Sequence, residues 1–323
     1  MDIYSISDER TLNEFIDNTV KPDRETLQRN NAMVDRLVHF LQNNVPGRIR
    51  PKRVIKGGSF GKGTAVRGTS DIDLVHMLAE YNSVDKYTKD SEDLLKDLKT
   101  YLTKYGQAQL VRITTYSVEV KLTNGNFSQT VDVVLGVDLL DRGMVPDHVF
   151  DQMQGPDVDV HLYSVTLTPL QIEVIQALPT QVKDLIRIVK YWGDVKKGVY
   201  VEHWPNSFTM ELVVIHAWNN AGSPSTSFSM IRALHAVLTS LVNHRQFNVT
   251  FPSQMKYSPT RLKICLPQRN APYIIDPTNP YNDMYHGRKG GLAYDWNDVA
   301  TEASTWLRLS LFRSVTGTHS RWQ

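Results

Sequence analysis

The chain has a single cysteine, Cys265, which excludes an intramolecular disulfide and a multi-cysteine zinc site. Its expected role is a buried small hydrophobe in a reducing compartment, so a cytoplasmic location is expected. Long apolar runs are also missing. The longest, Leu212 to Ile215 with Ala217 and Trp218, falls far short of the ~20 residues that cross a bilayer, and no membrane partner is expected. The opening stretch MDIYSISDERTLNEF lacks the basic region and apolar segment of a signal peptide. Nor does one charge dominate: 36 Lys and Arg against 34 Asp and Glu leave +2, so any polyanion site has to be local. Internal repeats, low-complexity tracts and long linkers are absent as well.

What remains is a globular composition, 41% hydrophobic and 22% charged, over 323 residues, more than one core usually holds. Two lobes are expected, at residues 1–160 and 161–323. Ser7 is a candidate N-cap, and the apolar spacing of Leu12, Phe15 and Ile16, then Val34, Leu37, Val38 and Leu41, predicts two N-terminal helices. A short strand over Arg53 to Lys56 runs into a glycine-rich turn. Ser70 to Val75 alternates polar and apolar residues as a half-buried strand does. A helix over 85–104 and two strands at 110–122 and 129–139 follow. From Thr168 onward the period is helical, which predicts a mainly helical second lobe.

The chemistry gathers around the turn. Eleven residues separate Gly57-Gly58-Ser59 from Asp71, and Asp73 follows two further on. Carboxylates at i and i+2 of a strand point the same way. They suit hard cations such as Mg²⁺, with Mn²⁺ as a substitute, and two ions ~3.5–4 Å apart are the requirement of two-metal phosphoryl transfer. Asp132, between β-branched neighbours on a later strand, is the candidate third ligand, with Asp138 of the same parity as its competitor. Gly58 lets the backbone approach a triphosphate, and Ser59 adds a hydroxyl. Gly61-Lys62-Gly63-Thr64 fails as a P-loop, which needs Ser or Thr directly after the lysine and a glycine where Lys56 stands.

The run from Lys56 to Val75, KGGSFGKGTAVRGTSDIDLV, resembles the active-site segment of the 2'-5'-oligoadenylate synthases. Further similarity lies in Leu185 to Trp192, Glu211-Leu212, Ala217-Trp218, Ile275-Asp276-Pro277, Trp296, Glu302-Ala303 and Trp306-Leu307. The resemblance implies an α+β fold, with a polymerase beta-like nucleotidyltransferase lobe of mixed sheet and helices and a helical C-terminal lobe. It implies an enzyme of innate antiviral defence that joins ATP, as donor and acceptor, through 2'-5' bonds under the control of double-stranded RNA. It also implies that Asp71, Asp73 and Asp132 form the catalytic metal triad, that Gly58, Ser59 and Lys62 contact the nucleotide, and that Lys190 binds the triphosphate. Phe208 stands where the family has a stacking tyrosine, and Ser207 where it usually has glutamine. Phe208 keeps the ring; Ser207 loses a two-sided amide that reads a base edge.

The family's duplex-binding surface is mostly basic where this chain has Ile172, Gln176 and Gln181. Losing those cations predicts weakened or absent RNA activation, unless the surface has moved to Arg48, Arg50, Lys52, Arg53 and Lys56, supplemented by Lys183 and Arg187. A monomer is expected. The alternatives are a synthase of cyclic dinucleotides or another second messenger, and a catalytically silent RNA-binding relative. The cyclic GMP-AMP enzyme of animals carries a zinc insertion with several cysteines that one cysteine cannot build.

Overall fold

The computed structural model describes residues 3–68, 72–153, 160–224, 227–266, 270–287, 292–315 and 322. Its elements run α1 (Glu9–Phe15), α2 (Arg24–Asn44), β1 (Pro51–Lys56), α3 (Gly58–Lys62), β2 (Ile72–Leu78), α4 (Val84–Leu102), β3 (Ala108–Ile113), β4 (Ser117–Asn124) and β5 (Phe127–Val137). Next come α5 (Pro146–Asp151), α6 (Val160–Thr166), α7 (Thr168–Gln176), α8 (Thr180–Lys196), α9 (Ser207–Asn220) and α10 (Met230–Val242). The chain closes with β6 (Asn248–Val249), α11 (Pro259–Cys265), β7 (Tyr273–Asp276), β8 (Asn279–Asp283) and α12 (Trp296–Trp306). No helix among the described residues is long and apolar enough to cross a membrane.

Two compact units form, one from residues 22–65 and 70–176, the other from 1–21, 66–69 and 177–323. The first is built on a mixed sheet ordered β1-β2-β5-β4-β3, in which only β2 and β5 run parallel. Alternation gives the sheet two different faces. Ile72, Leu74 and Leu78 of β2, Val131, Val133 and Leu135 of β5 and Val118, Val120 and Leu122 of β4 are buried, as are Leu37 and Leu41 of α2 and Leu94 and Leu98 of α4. Each such side chain contributes about 1.5–3 kcal/mol on leaving water. The opposite face is apolar only at one end, where Val75, Met77 and Val134 pack on Val165 of α6. Thr166 Oγ1 pins α6 by donating to the Val137 carbonyl at 2.6 Å. The rest of that face carries the polar residues described below.

The run expected as one strand over 110–122 is two. The Thr114 hydroxyl accepts from the backbone N–H of Tyr116 and of Ser117, a local turn that ends β3 and folds β4 back against it as an antiparallel hairpin. Asp8, not Ser7, caps α1, because its carboxylate reaches Thr11 N at 2.9 Å.

The second unit holds α8, α9, α10 and α12 with the small sheet β6-β7-β8. Trp192 lies edge-on to Trp204 at 4.8 Å and tilted against Trp306 at 5.6 Å. Helix α1 belongs here: the Glu9 carboxylate accepts from Ser229 Oγ at 2.8 Å and from Ile231 N at 3.2 Å, capping α10 from 220 residues away in sequence. Cys265 is buried and free.

Candidate active site

The turn between β1 and α3 is fixed by backbone bonds. Gly57 N donates to the Asp73 carbonyl at 2.7 Å, Gly61 N to Gly57 O at 2.7 Å and Thr64 N to Ser59 O at 2.8 Å. Gly58 has φ +54°, and a Cβ there would lie 1.7 Å from Asp73 Oδ2 and 2.7 Å from its Cγ. Only glycine therefore lets the Asp73 carboxylate rest against this backbone. Ser59 is half-buried on α3, and Lys62 is 6% exposed. Helix α7 packs on α3, with Gln176 Nε2 donating to the Gly61 carbonyl at 2.7 Å.

Asp73 and Asp132 are direct register partners on the parallel strands β2 and β5. They share the partly polar face, because Asp132 sits between Val131 and Val133, which are fully buried on the other. The Ser117 hydroxyl donates to the Asp132 carboxylate, yet Asp132 Oδ1 is buried without a partner among the described residues. Burial raises the Asp132 pKa above the ordinary carboxylate value; the Ser117 hydrogen bond opposes this, Glu119 adds to it and Arg112 offsets it. Asp132 also faces Glu119 of β4, and Glu119 faces Arg112 of β3. Arg112 Nε donates to Glu119 Oε2 at 2.7 Å. Four strands thus carry one row, Asp73, Asp132, Glu119 and Arg112.

Asp71 lies outside the described residues. Among the described residues no group of three or more His, Cys, Asp or Glu is arranged to hold a metal ion. Two carboxylates in register, one with an orphaned buried oxygen, fit a hard divalent cation, which binds oxygen and offsets like charge. The competitor Asp138 is committed elsewhere: it is fully buried, with Arg53 Nε 2.6 Å from its Oδ2.

The remaining candidates belong to the helical unit. Lys190, on α8, is buried with its Nζ 3.8 Å from Oε1 of the buried Glu211 on α9. Asn206 caps α9 by accepting from Thr209 N at 2.9 Å, which puts exposed Ser207 and half-buried Phe208 in the first turn.

The basic positions around β1 have acidic partners. Arg48 pairs with Asp97 at 2.7 Å, Lys52 with Asp141, Arg53 with Asp138 and Lys56 with Asp35 at 2.8 Å. Arg50 alone of the five has none among the described residues. In the helical unit Arg187 pairs with Asp184 at 2.6 Å, and Lys183 is half-buried beside Arg187. Gln181 is bound internally too, exchanging hydrogen bonds with the backbone of Phe228.

Ser117, Glu119 and Arg112 escape the sequence pattern because register decides what Asp132 faces. The alternation in Ser117-Val118-Glu119-Val120 was the available signal, and it names a face without naming a neighbour.

This architecture is shared with solved nucleotidyltransferases. CdnC of E. coli MS115-1, solved with ATP, superposes with a TM-score of 0.64 at 20% identity over 96% of this chain and 99% of its own. The Cid1 poly(U) polymerase does so with 0.59 at 16% identity over 95% of each. The fold is therefore that of the polymerase beta-like nucleotidyltransferases, α+β in class. Residues 152–323 match the family model of 2'-5'-oligoadenylate synthetase 1, domain 2, C-terminus, and residues 6–134 match the Second Messenger Oligonucleotide or Dinucleotide Synthetase domain. The chain belongs to the 2'-5'-oligoadenylate synthase family. It is 26% identical to 2'-5'-oligoadenylate synthase 2 of Mus musculus over 94% of its length and 24% identical to 2'-5'-oligoadenylate synthase 1A of Rattus norvegicus over 97%. It spans 43% of the mouse relative and 93% of the rat one.

Proposed function

We propose that the protein polymerises ATP into 2'-5'-linked oligoadenylates with release of pyrophosphate, and that activation by double-stranded RNA is weakened or absent. The observation that carries the catalytic reading is the in-register pair Asp73 and Asp132, with Asp73 seated against Gly58. Asp71, Asp73 and Asp132 would hold two Mg²⁺ ions, which supply charge neutralisation at the α-phosphate and a lowered pKa for the attacking hydroxyl. The acceptor ribose oxygen forms a bond to the α-phosphorus of ATP as the bond to the pyrophosphate oxygen breaks in line. Asp132 would serve the side of the attacking hydroxyl, whose proton passes to solvent water. Gly58 and Ser59 offer backbone and hydroxyl to the donor phosphates and Lys62 a cation. By resemblance to the family, Lys190 would contact the triphosphate, Phe208 would offer a ring for stacking and Ser207 a hydroxyl. The chain contributes mostly positioning and charge.

The reading on RNA rests on the ion pairs. Four cations of the β1 region face carboxylates, and Gln176 and Gln181 bind their own fold. A phosphate contact made by any of those four would have to displace an acid. The match of residues 6–134 to the second-messenger synthetase domain supports a second reading, a cyclic or 3'-5'-linked product. Incubation with ATP and Mg²⁺, with and without long double-stranded RNA, followed by a nuclease specific for 3'-5' bonds, separates these. Resistant oligomers in both arms are expected; sensitive or cyclic products favour the second reading, and no product from any nucleotide tried refutes the enzyme.

A further inference from the structure

The row of side chains that contains Asp73 and Asp132 continues across the sheet. Glu119 is the register partner of Asp132 on the side away from Asp73, and Arg112 is the register partner of Glu119. Three carboxylates on three successive strands are costly, since like charges placed directly opposite one another destabilise a sheet. On the other face the same two strands pair Val118 with Val133 and Val120 with Val131. Stability alone gives no reason to set a glutamate against Asp132.

Glu119 is also held in one orientation. Its side chain is 14% exposed, and Arg112 Nε and Nη2 both lie 2.7 Å from Oε2. The two nitrogens converge on one oxygen, which leaves Oε1 as the oxygen open to a further donor. A fixed carboxylate is an acceptor only, so the group it takes must donate.

We infer that Glu119, braced by Arg112, reads the acceptor ribose: Oε1 accepts a hydrogen bond from the hydroxyl vicinal to the one that attacks, and so selects which hydroxyl reacts. This rests on the reading of Asp132 as the residue serving the attacking hydroxyl. Opposed side chains on neighbouring strands start about 4.5–5.5 Å apart at Cβ, a spacing that two carboxylates can close onto adjacent oxygens of one sugar ring. The ligand class is therefore a nucleotide acceptor with a free cis-diol. Glu119 is a specificity residue and Arg112 its positioning residue.

The test supplies labelled ATP as donor with three acceptors: an adenosine nucleotide, its 2'-deoxy form and its 3'-deoxy form. For the wild-type protein, removing the hydroxyl that does not attack should lower kcat/KM for the acceptor by about 10- to 100-fold, the range of a hydrogen bond to a charged group. Glu119→Ala should reduce that penalty to within about twofold, the cost of an empty hydroxyl site having gone. It should also yield both linkages, read as nuclease-sensitive and nuclease-resistant bonds. Glu119→Gln keeps an accepting oxygen and should fall between, while Arg112→Ala should loosen the selection without abolishing turnover. If Glu119→Ala does not fold, the other two variants decide. An active wild-type protein whose variants keep its acceptor ratio and its linkage overturns the inference and leaves Glu119 a structural partner of Arg112. A wild-type protein that forms no phosphodiester bond removes the reading beneath it, and the inference with it.

Discussion

Gly58 gives the sharpest test of the site, because a single methyl group separates two physical effects. In Gly58→Ala the new Cβ would stand 1.7 Å from Asp73 Oδ2. Restoring ordinary contact pushes that carboxylate back by roughly 1.5 Å. A misplacement of about 1 Å in a reacting constellation costs about 100-fold in rate. The left-handed backbone, φ +54°, adds about 1–2 kcal/mol of strain once a side chain is present. Gly125, in the β4–β5 turn, supplies the control, since its φ is +61° and nothing lies within 4 Å of a Cβ built there. Gly125→Ala should carry the strain without the displacement. Melting temperature should fall in both variants by about 2–4 °C per kcal/mol. Pyrophosphate release from ATP with Mg²⁺ should fall about 100-fold in Gly58→Ala and stay near wild type in Gly125→Ala. A Gly58→Ala protein with more than about a third of wild-type turnover would refute the cradle, since the displacement argument demands far more. Parallel loss in Gly125→Ala would reduce the effect to backbone strain.

His76 lies fully buried on β2, its Nε2 2.8 Å from the Ile49 carbonyl, and burial pushes its pKa down to about 4. Protonation is therefore easier in the unfolded chain, so stability is complete above pH ~6.5 and is lost as pH falls toward ~4, by about 3 kcal/mol in all. Urea titrations at pH 7 and pH 4.5 should show that loss, and His76→Leu should flatten it; an unchanged slope in the variant would assign the acid sensitivity to other groups. Lys190→Met leaves the buried Glu211 facing one cation fewer and should cost about 3 kcal/mol. The double variant Lys190→Met with Glu211→Met should recover much of that stability and still bind ATP poorly; recovery of ATP affinity would remove Lys190 from the nucleotide contacts.

Much of the sheet unit was legible because its signals are local. The alternation Ile72-Asp73-Leu74-Val75 and the β-branched neighbours of Asp132 state which side chains leave the core, and both aspartates lie where that parity puts them. Register is different in kind. Asp132 faces Glu119 rather than Lys121 because the hairpin pairs Asn124 with Phe127, and a slip of one residue would have reversed the face. The turn at Thr114 was equally hidden, since its hydroxyl accepts two backbone N–H groups only once the chain has folded back into the β3–β4 hairpin. Helix α1 looked like part of the N-terminal lobe because it is close in sequence, but the carboxylate of Glu9 satisfies amides at the start of α10.

The basic residues show most clearly why charge read along a chain misleads. Arg48, Arg50, Lys52, Arg53 and Lys56 form a run that a polyanion would recognise if it stood alone. Its acids arrive from elsewhere: Asp35 from α2, Asp97 from α4, and Asp138 and Asp141 from the segment after β5. The partnerships are unequal. Asp138 is fully buried, so taking Arg53 from it would strand a carboxylate away from water, whereas Arg48 and Asp97 are both exposed and exchange partners at little cost. Duplex RNA could therefore recruit Arg48, Arg50 or Lys52 far more readily than Arg53. Each phosphate neutralised contributes about −0.9 to the slope of log affinity against log salt. A surface with so few cations to release should give a slope nearer −3 than the −6 to −10 of a dedicated duplex binder, by the same rule of about one unit per contact. A steep slope would mean that the helical unit, through Lys183 and neighbours outside this run, carries the RNA contact.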